Sequence, residues 1–275
     1  NNEILLHADH TESSEYYNGG SLTYGSGGAP DNFAGWMMTW NYTNIRSSGV
    51  SSVQREADQE LGRPWVRMCP TIEVIKNTFA NKTDDSRYDG TFTTVYRGNW
   101  PKGGNNSPSL INANGMSVVP GDPILTFLND DDPAVVYATA NANIGAGVLP
   151  GRADFVISPS AISRIVYPGL WKLGPYRTDG GTGLGQPNAG STRPFYIAKF
   201  SELYFIAAEA AVKGATPTAG KSAADLINVI RARAGQWRFD NNGNTVKIED
   251  HSAQMIAATP ATIDIDYIWA ERSRY

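Results

Sequence analysis

Cysteine is almost missing from this sequence: Cys69 is the only one in 275 residues. A single thiol excludes an intrachain disulfide and any zinc site built on cysteines. Long apolar runs are missing too, so nothing reads as a membrane-spanning helix. Basic clusters are absent. With 23 Lys and Arg against 27 Asp and Glu, a net charge of -4, there is no surface from which to displace phosphate counterions, and nucleic acid is not an expected partner. No His-Glu-x-x-His and no Gly-x-Ser-x-Gly occurs, which removes the usual signatures of a zinc hydrolase and a serine hydrolase. The chain opens on Asn1-Asn2-Glu3 without a basic and apolar leader, and it stops at Tyr275 within a helical pattern. Both ends read as cuts through a longer protein, with any export signal outside this piece.

What is present is a globular balance, 41% hydrophobic and 18% charged, too apolar for a disordered chain. Seven Trp and 13 Tyr are set among 28 Gly and 16 Pro, a mixture that places aromatics on irregular loops. Glu3-Ile4-Leu5-Leu6-His7-Ala8 reads as a buried strand. From Ser13 to Ser52 the chain is rich in Gly, Ser and Asn and carries Tyr16, Tyr17, Tyr24, Phe33, Trp36, Trp40 and Tyr42, the composition of long loops. Ile72, Val74, Ile75 and Phe79 predict a helix ending near Asn81, and Thr91–Tyr96 a strand. Gly98–Gly115 and Gly180–Gly190 are loops, and connections this long are often functional.

The strongest helical pattern is Phe195–Lys213, with Ile197, Phe200, Tyr204, Ala207, Ala208 and Ala211 as one stripe and Tyr204 expected in the core. Ser222 is placed to cap a second helix carrying Leu226, Ile227, Ile230 and Ala234, which Gly235 ends. Two helices joined by a short turn form an αα-hairpin, the unit of tetratricopeptide-like repeats. A last helix after Pro260 is expected to turn Ile265, Ile268 and Trp269 inward. The expected fold is therefore mostly α with long loops and short β-hairpins, on a tetratricopeptide-like scaffold. Residues 1–192 would form a loop-rich ligand-binding lobe and 193–275 the helical-hairpin lobe.

Five segments, in order, resemble the C-terminal part of SusD/RagB-type proteins. They are Glu3-Ile4-Leu5-Leu6; Gly62-Arg63-Pro64-Trp65-Val66-Arg67 with Pro70-Thr71; Asp85-Ser86-Arg87 leading to Thr91-Phe92; Glu202-Leu203-Tyr204 with Ala207-Ala208-Glu209-Ala210 and Asn228-Val229-Ile230-Arg231-Ala232-Arg233-Ala234-Gly235; and Glu271-Arg272. The resemblance implies a surface lipoprotein of the outer membrane in Bacteroidetes-type bacteria. Such a protein captures oligosaccharides or other nutrients and passes them to a SusC-like, TonB-dependent outer-membrane transporter. Its lipid anchor and N-terminal repeats would lie outside this chain, and the surface that packs on those repeats would be left apolar and exposed.

Candidate chemistry is thin. His7 and His10 have metal-ligand spacing for a helix, but on a strand residues three apart face opposite ways. Gly180–Gly185 lacks the spacing and lysine of a phosphate loop. Asn129-Asp130-Asp131-Asp132 lacks the glycine and final Glu of an EF-hand and reads as a turn before Pro133. No catalytic residue, metal ligand or cofactor is therefore assigned. Arg231 and Arg233 have the charge to hold an anion, but pairing with Glu202, Glu209 or Glu271 is the favoured reading. For an oligosaccharide, the expected binding residues are Trp36, Trp40 and Tyr42 as stacking rings with Asn41 as a hydroxyl partner, flanked by Tyr24 and Trp100. Sugar C–H faces lie flat on such rings while amides take the hydroxyls. About half of the loop aromatics are expected in the core instead. The rival function is a glycan-processing hydrolase, which needs two carboxylates facing each other across a cleft.

Overall fold

A computed structural model describes residues 3–8, 38–55, 61–62, 64, 68–138, 140–141, 143–172, 195–216, 220–240 and 246–275. Two apolar clusters organise them. The first gathers side chains from Trp40 to Tyr167, and its interior is largely aromatic: Trp40, Tyr42, Tyr88, Tyr96, Trp100 and Tyr167 are all buried. The second gathers Phe205, Ala208, Ile227, Ile230 and Ile268.

The expected mostly-α repeat scaffold is not found; short helices alternate with several small sheets. In the first region β2 (Arg46–Ser47) and β3 (Val50–Ser51) form one hairpin. A helix predicted to end near Asn81 is a π-type turn, Val74–Thr78, which buries Ile75 and is followed by buried Phe79. Helix α1 (Arg87–Thr91) follows, and the strand predicted over Thr91–Tyr96 is divided into β4 (Phe92–Thr93) and β5 (Val95–Arg97). A further hairpin joins β6 (Leu110–Ile111) to β7 (Ser117–Val118). Strand β8 (Pro123–Phe127) lies antiparallel to β5 and parallel to β9 (Phe155–Ile157). All three residues of β9 are buried, as expected of a strand covered on both faces. Strand β10 (Gly169–Leu170) pairs with β4.

The second region opens on a strand where a helix is expected. Residues Phe195–Lys199 are not helical; they form β11, antiparallel to β1 (Ile4–Ala8). Aromatic and β-branched residues at Phe195, Tyr196 and Ile197 suit a strand, and a partner strand supplied from the far end of the chain decides between two patterns that local sequence allows. Helix α2 (Phe200–Val212) therefore starts five residues later than predicted and turns Phe205 and Ala208 inward. Tyr204 is only half-buried, while Leu203 and Ile206 are exposed. Helix α3 (Ala223–Ala234) packs on α2 as expected, with Ile227 and Ile230 buried. Its start is fixed by a capping box: the Ser222 hydroxyl accepts from Asp225 N–H, and the Asp225 carboxylate accepts from Ser222 N–H. Gly235 ends this helix with an ordinary φ of -74°. Its lack of a side chain serves a close approach, since a Cβ there would sit 2.6 Å from the His251 carbonyl carbon.

Strands β12 (Gln236–Asp240) and β13 (Val246–Asp250) form the last hairpin, followed by α4 (Ser252–Ala257) and α5 (Ile265–Arg272). Ile268 is buried in α5, but Trp269, expected inward, is 55% exposed. No described helix is long and apolar enough to cross a membrane.

Candidate functional site

The aromatic platform expected from sequence is not a surface. Trp40, Tyr42 and Trp100 each have 0% exposure. The Trp40 and Tyr42 rings pack on the β5–β8 pair: Trp40 meets Tyr96 edge-on at 5.3 Å, and Tyr42 stacks on Tyr96 at 5.6 Å. Two of the three polar edges are satisfied inside, Tyr42 Oη donating to the Gly62 carbonyl at 2.5 Å and Trp100 Nε1 to the Ser107 carbonyl at 2.9 Å. The largest side chains of this region go inward, the rings packing together with buried Ile45, Ile75, Ile124 and Leu125. Asn41 is half-buried and its Oδ1 accepts from the Thr43 hydroxyl. Tyr24 and Trp36 lie outside the described residues, as do His10, Gly180–Gly185 and the Arg63 and Trp65–Arg67 part of the Gly-Arg-Pro segment. Asp131 takes the Lys76 ammonium at 2.7 Å and the Ser160 hydroxyl, and Asp132 accepts from Ala134 N–H in the turn after Pro133. Among the described residues no group of three or more His, Cys, Asp or Glu is arranged to hold a metal ion.

The structure instead opens a cavity of about 430 Å³ where the two apolar clusters meet. That is within the roughly 300–1,000 Å³ of small-molecule sites. Its walls come from separate elements. Glu3 precedes β1, Arg87 begins α1, Lys172 follows β10, Lys199 ends β11, Arg233 lies in the last turn of α3, and Arg238 is on β12. The wall between α1 and α3 is closed by Ser86 N–H donating to the Ala234 carbonyl at 2.8 Å. Lys172 is held there by β-bridge-like contacts to α1, its own N–H and that of Trp171 both donating to the Thr91 carbonyl.

Behind Arg87 lies a buried ion cluster that couples the two regions. Glu271, with 0% exposure, receives Arg87 at 2.6 Å, Arg231 at 2.8 Å and Arg274 at 3.0 Å. Arg87 also grips Asp85 through two nitrogens, at 2.8 and 2.6 Å. Burial pushes the Glu271 carboxyl upward, but Arg87, Arg231 and Arg274 outweigh it and hold it below the ordinary value. Burial likewise disfavours the Arg87 charge, and Asp85 with Glu271 more than restores it. The pairing expected for Arg231 with Glu271 is thus present. Glu202 and Glu209 pair elsewhere, with Arg272 and Lys213.

Arg233 behaves differently from Arg231. It points to the cavity, bound to Glu3 at 2.7 Å and to the Tyr275 hydroxyl. The Tyr275 ring is flanked by Lys172, Lys199 and Arg233, each within 6 Å of its centroid. Lys172 Nζ donates to the Tyr275 backbone oxygen at 2.5 Å. Of the charged wall residues, Glu3, Arg87 and Arg233 lie in segments that the sequence singles out. Lys172, Lys199 and Arg238 share no motif or spacing, and only the tertiary fold brings them to one cavity.

Neither protein-family models nor curated proteins match this chain.

Proposed function

We propose that this chain belongs to a SusD/RagB-like nutrient-capturing protein, binding an oligosaccharide without chemically altering it. The observation that carries the reading is the composition of the cavity wall. Glu3, Arg87 and Arg233 come from three of the segments on which the resemblance rests. Two of those segments, through Asp85, Arg87 and Arg231, join Glu271 in the buried cluster behind the wall. Four of the five segments thus contribute to the cavity or to the cluster behind it, although the repeat fold first expected around them is not the fold observed.

The cavity suits a polar ligand. Ser86, Thr91 and Gln236 join its charged groups as hydroxyl partners. Paired-carboxylate hydrolysis would need two acids across the cleft, and among the described residues its lining contains one, Glu3. This favours binding over turnover. In the proposed setting the whole protein is a lipid-anchored component of the outer-membrane surface that delivers its ligand to a TonB-dependent transporter.

A glycan array followed by calorimetry on its hits tests the reading. Saturable binding, around micromolar to millimolar and about -4 to -8 kcal/mol, is expected, with no reducing ends released above a buffer control. Reproducible turnover that one carboxylate substitution abolishes would replace binding with the hydrolase alternative.

A further inference from the structure

We infer that the cavity selects an acidic saccharide, one carrying a carboxylate, sulfate or phosphate group, rather than a neutral one. The inference rests on the glycan reading above and deepens it by naming the class of ligand.

The first ground is charge. Among the described residues, five cationic side chains, those of Arg87, Lys172, Lys199, Arg233 and Arg238, line the cavity against one acidic side chain, Glu3. The chain as a whole is negative, with a net charge of -4. The concentration of positive charge is therefore local and opposed to the overall composition. The ion cluster behind the wall adds to it, because Arg87, Arg231 and Arg274 face two carboxylates among the described residues, Asp85 and Glu271. A concave site lined by one sign of charge focuses the field on its interior and raises the local concentration of the opposite ion.

The second ground is a missing acceptor. Arg87 is 9% exposed and lines the cavity, yet its Nη1 is a buried donor with no hydrogen-bond acceptor. A charged donor left without an acceptor is costly, on the order of 1–3 kcal/mol or more. Its other two nitrogens already serve Asp85 and Glu271. The wall thus carries a charge that its buried partners do not fully saturate, and that charge favours an anionic oxygen in the cavity over a neutral one. Arg233 and Arg238 extend the same chemistry along the cavity, Arg233 from the C-terminal turn of α3 and Arg238 from a surface strand.

The experiment is calorimetric titration of the chain with a galacturonate oligomer, a galactose oligomer of the same length, a sulfated galactose oligomer and inorganic sulfate. Each titration is run at low and high salt, on wild type and on Lys172→Gln, Arg238→Gln and Arg164→Gln. Arg164 is exposed and absent from the cavity wall, so its variant controls for loss of surface charge. Circular dichroism checks the fold of each variant, and Arg238→Lys tests whether charge restores binding where Gln removes it. The expected result is binding of one or both acidic oligomers at least about tenfold tighter than the neutral one. Salt should weaken it as the screening length falls from ~10 Å toward ~3 Å. Lys172→Gln and Arg238→Gln should each lose several-fold, and Arg164→Gln nothing. The two acidic arms separate carboxylate from sulfate recognition. If the neutral oligomer binds as tightly and salt has no effect, acidic selection is overturned and glycan capture stands. If sulfate binds and competes while no saccharide does, the anion site stands and glycan capture falls. If nothing binds, or if the folded cavity variants bind like wild type, the inference is wrong.

Discussion

Arg87 and Glu271 meet at 2.6 Å where the two apolar clusters join, and Glu271 is fully buried. One residue begins a short helix in the aromatic region and the other lies in the last helix of the chain. Their contact carries two consequences: it ties the regions together, and it aims Arg87 at the cavity wall.

Glu271→Gln should destabilise the chain by about 3–5 kcal/mol, because it removes the carboxylate and leaves Arg87 and Arg231 buried without it. Equilibrium urea denaturation gives the value. A loss under about 1 kcal/mol would mean that water or Asp85 compensates the arginines.

Acid should act through the same group. The folded Glu271 carboxyl lies below its ordinary value, so its contribution is fully present above the unfolded pKa of about 4.3. It disappears as pH falls through the folded value, when protonation removes the charge the arginines require. Wild type should lose stability progressively below about pH 5, and Glu271→Gln should show a shallower decline over that range. Parallel slopes in the two proteins would assign acid sensitivity to other carboxylates.

Trp40→Ala should cost about 3–5 kcal/mol, the range for removing a fully buried indole. Trp40→Phe should keep the fold and leave any saccharide affinity unchanged. Loss of affinity in a well-folded Trp40→Phe would return the site to the aromatic region.

Apolar surface on β1, β11 and α2 should drive association. Leu6, Phe195, Ile197 and Ile206 are each more than half exposed, and exposed apolar surface of this kind favours self-contact. Sedimentation velocity should show concentration-dependent association, reduced by Ile197→Lys with Ile206→Lys. A strict monomer at high concentration would argue that this face is too dispersed to associate.

What the sequence determines alone is local. Ser222 and Asp225 are three residues apart, so the capping box that starts α3 is written within one turn, and Ile227 and Ile230 follow on its buried face. The likeness of Asp85-Ser86-Arg87, Arg231 and Glu271 to family segments is also readable, though not that they meet in one cluster. Tertiary structure decides what depends on partners far along the chain. Phe195–Lys199 becomes strand because β1 lies beside it. Trp40, Tyr42 and Trp100 go inward because, in a region of short strands, rings are the largest apolar volumes available to fill the core. The cavity is assembled from Glu3, Arg87, Lys172, Lys199, Arg233 and Arg238, and no spacing announces it. Hydrogen bonds within a turn depend on neighbours in sequence, whereas burial and the summed field of distant charges depend on neighbours in space.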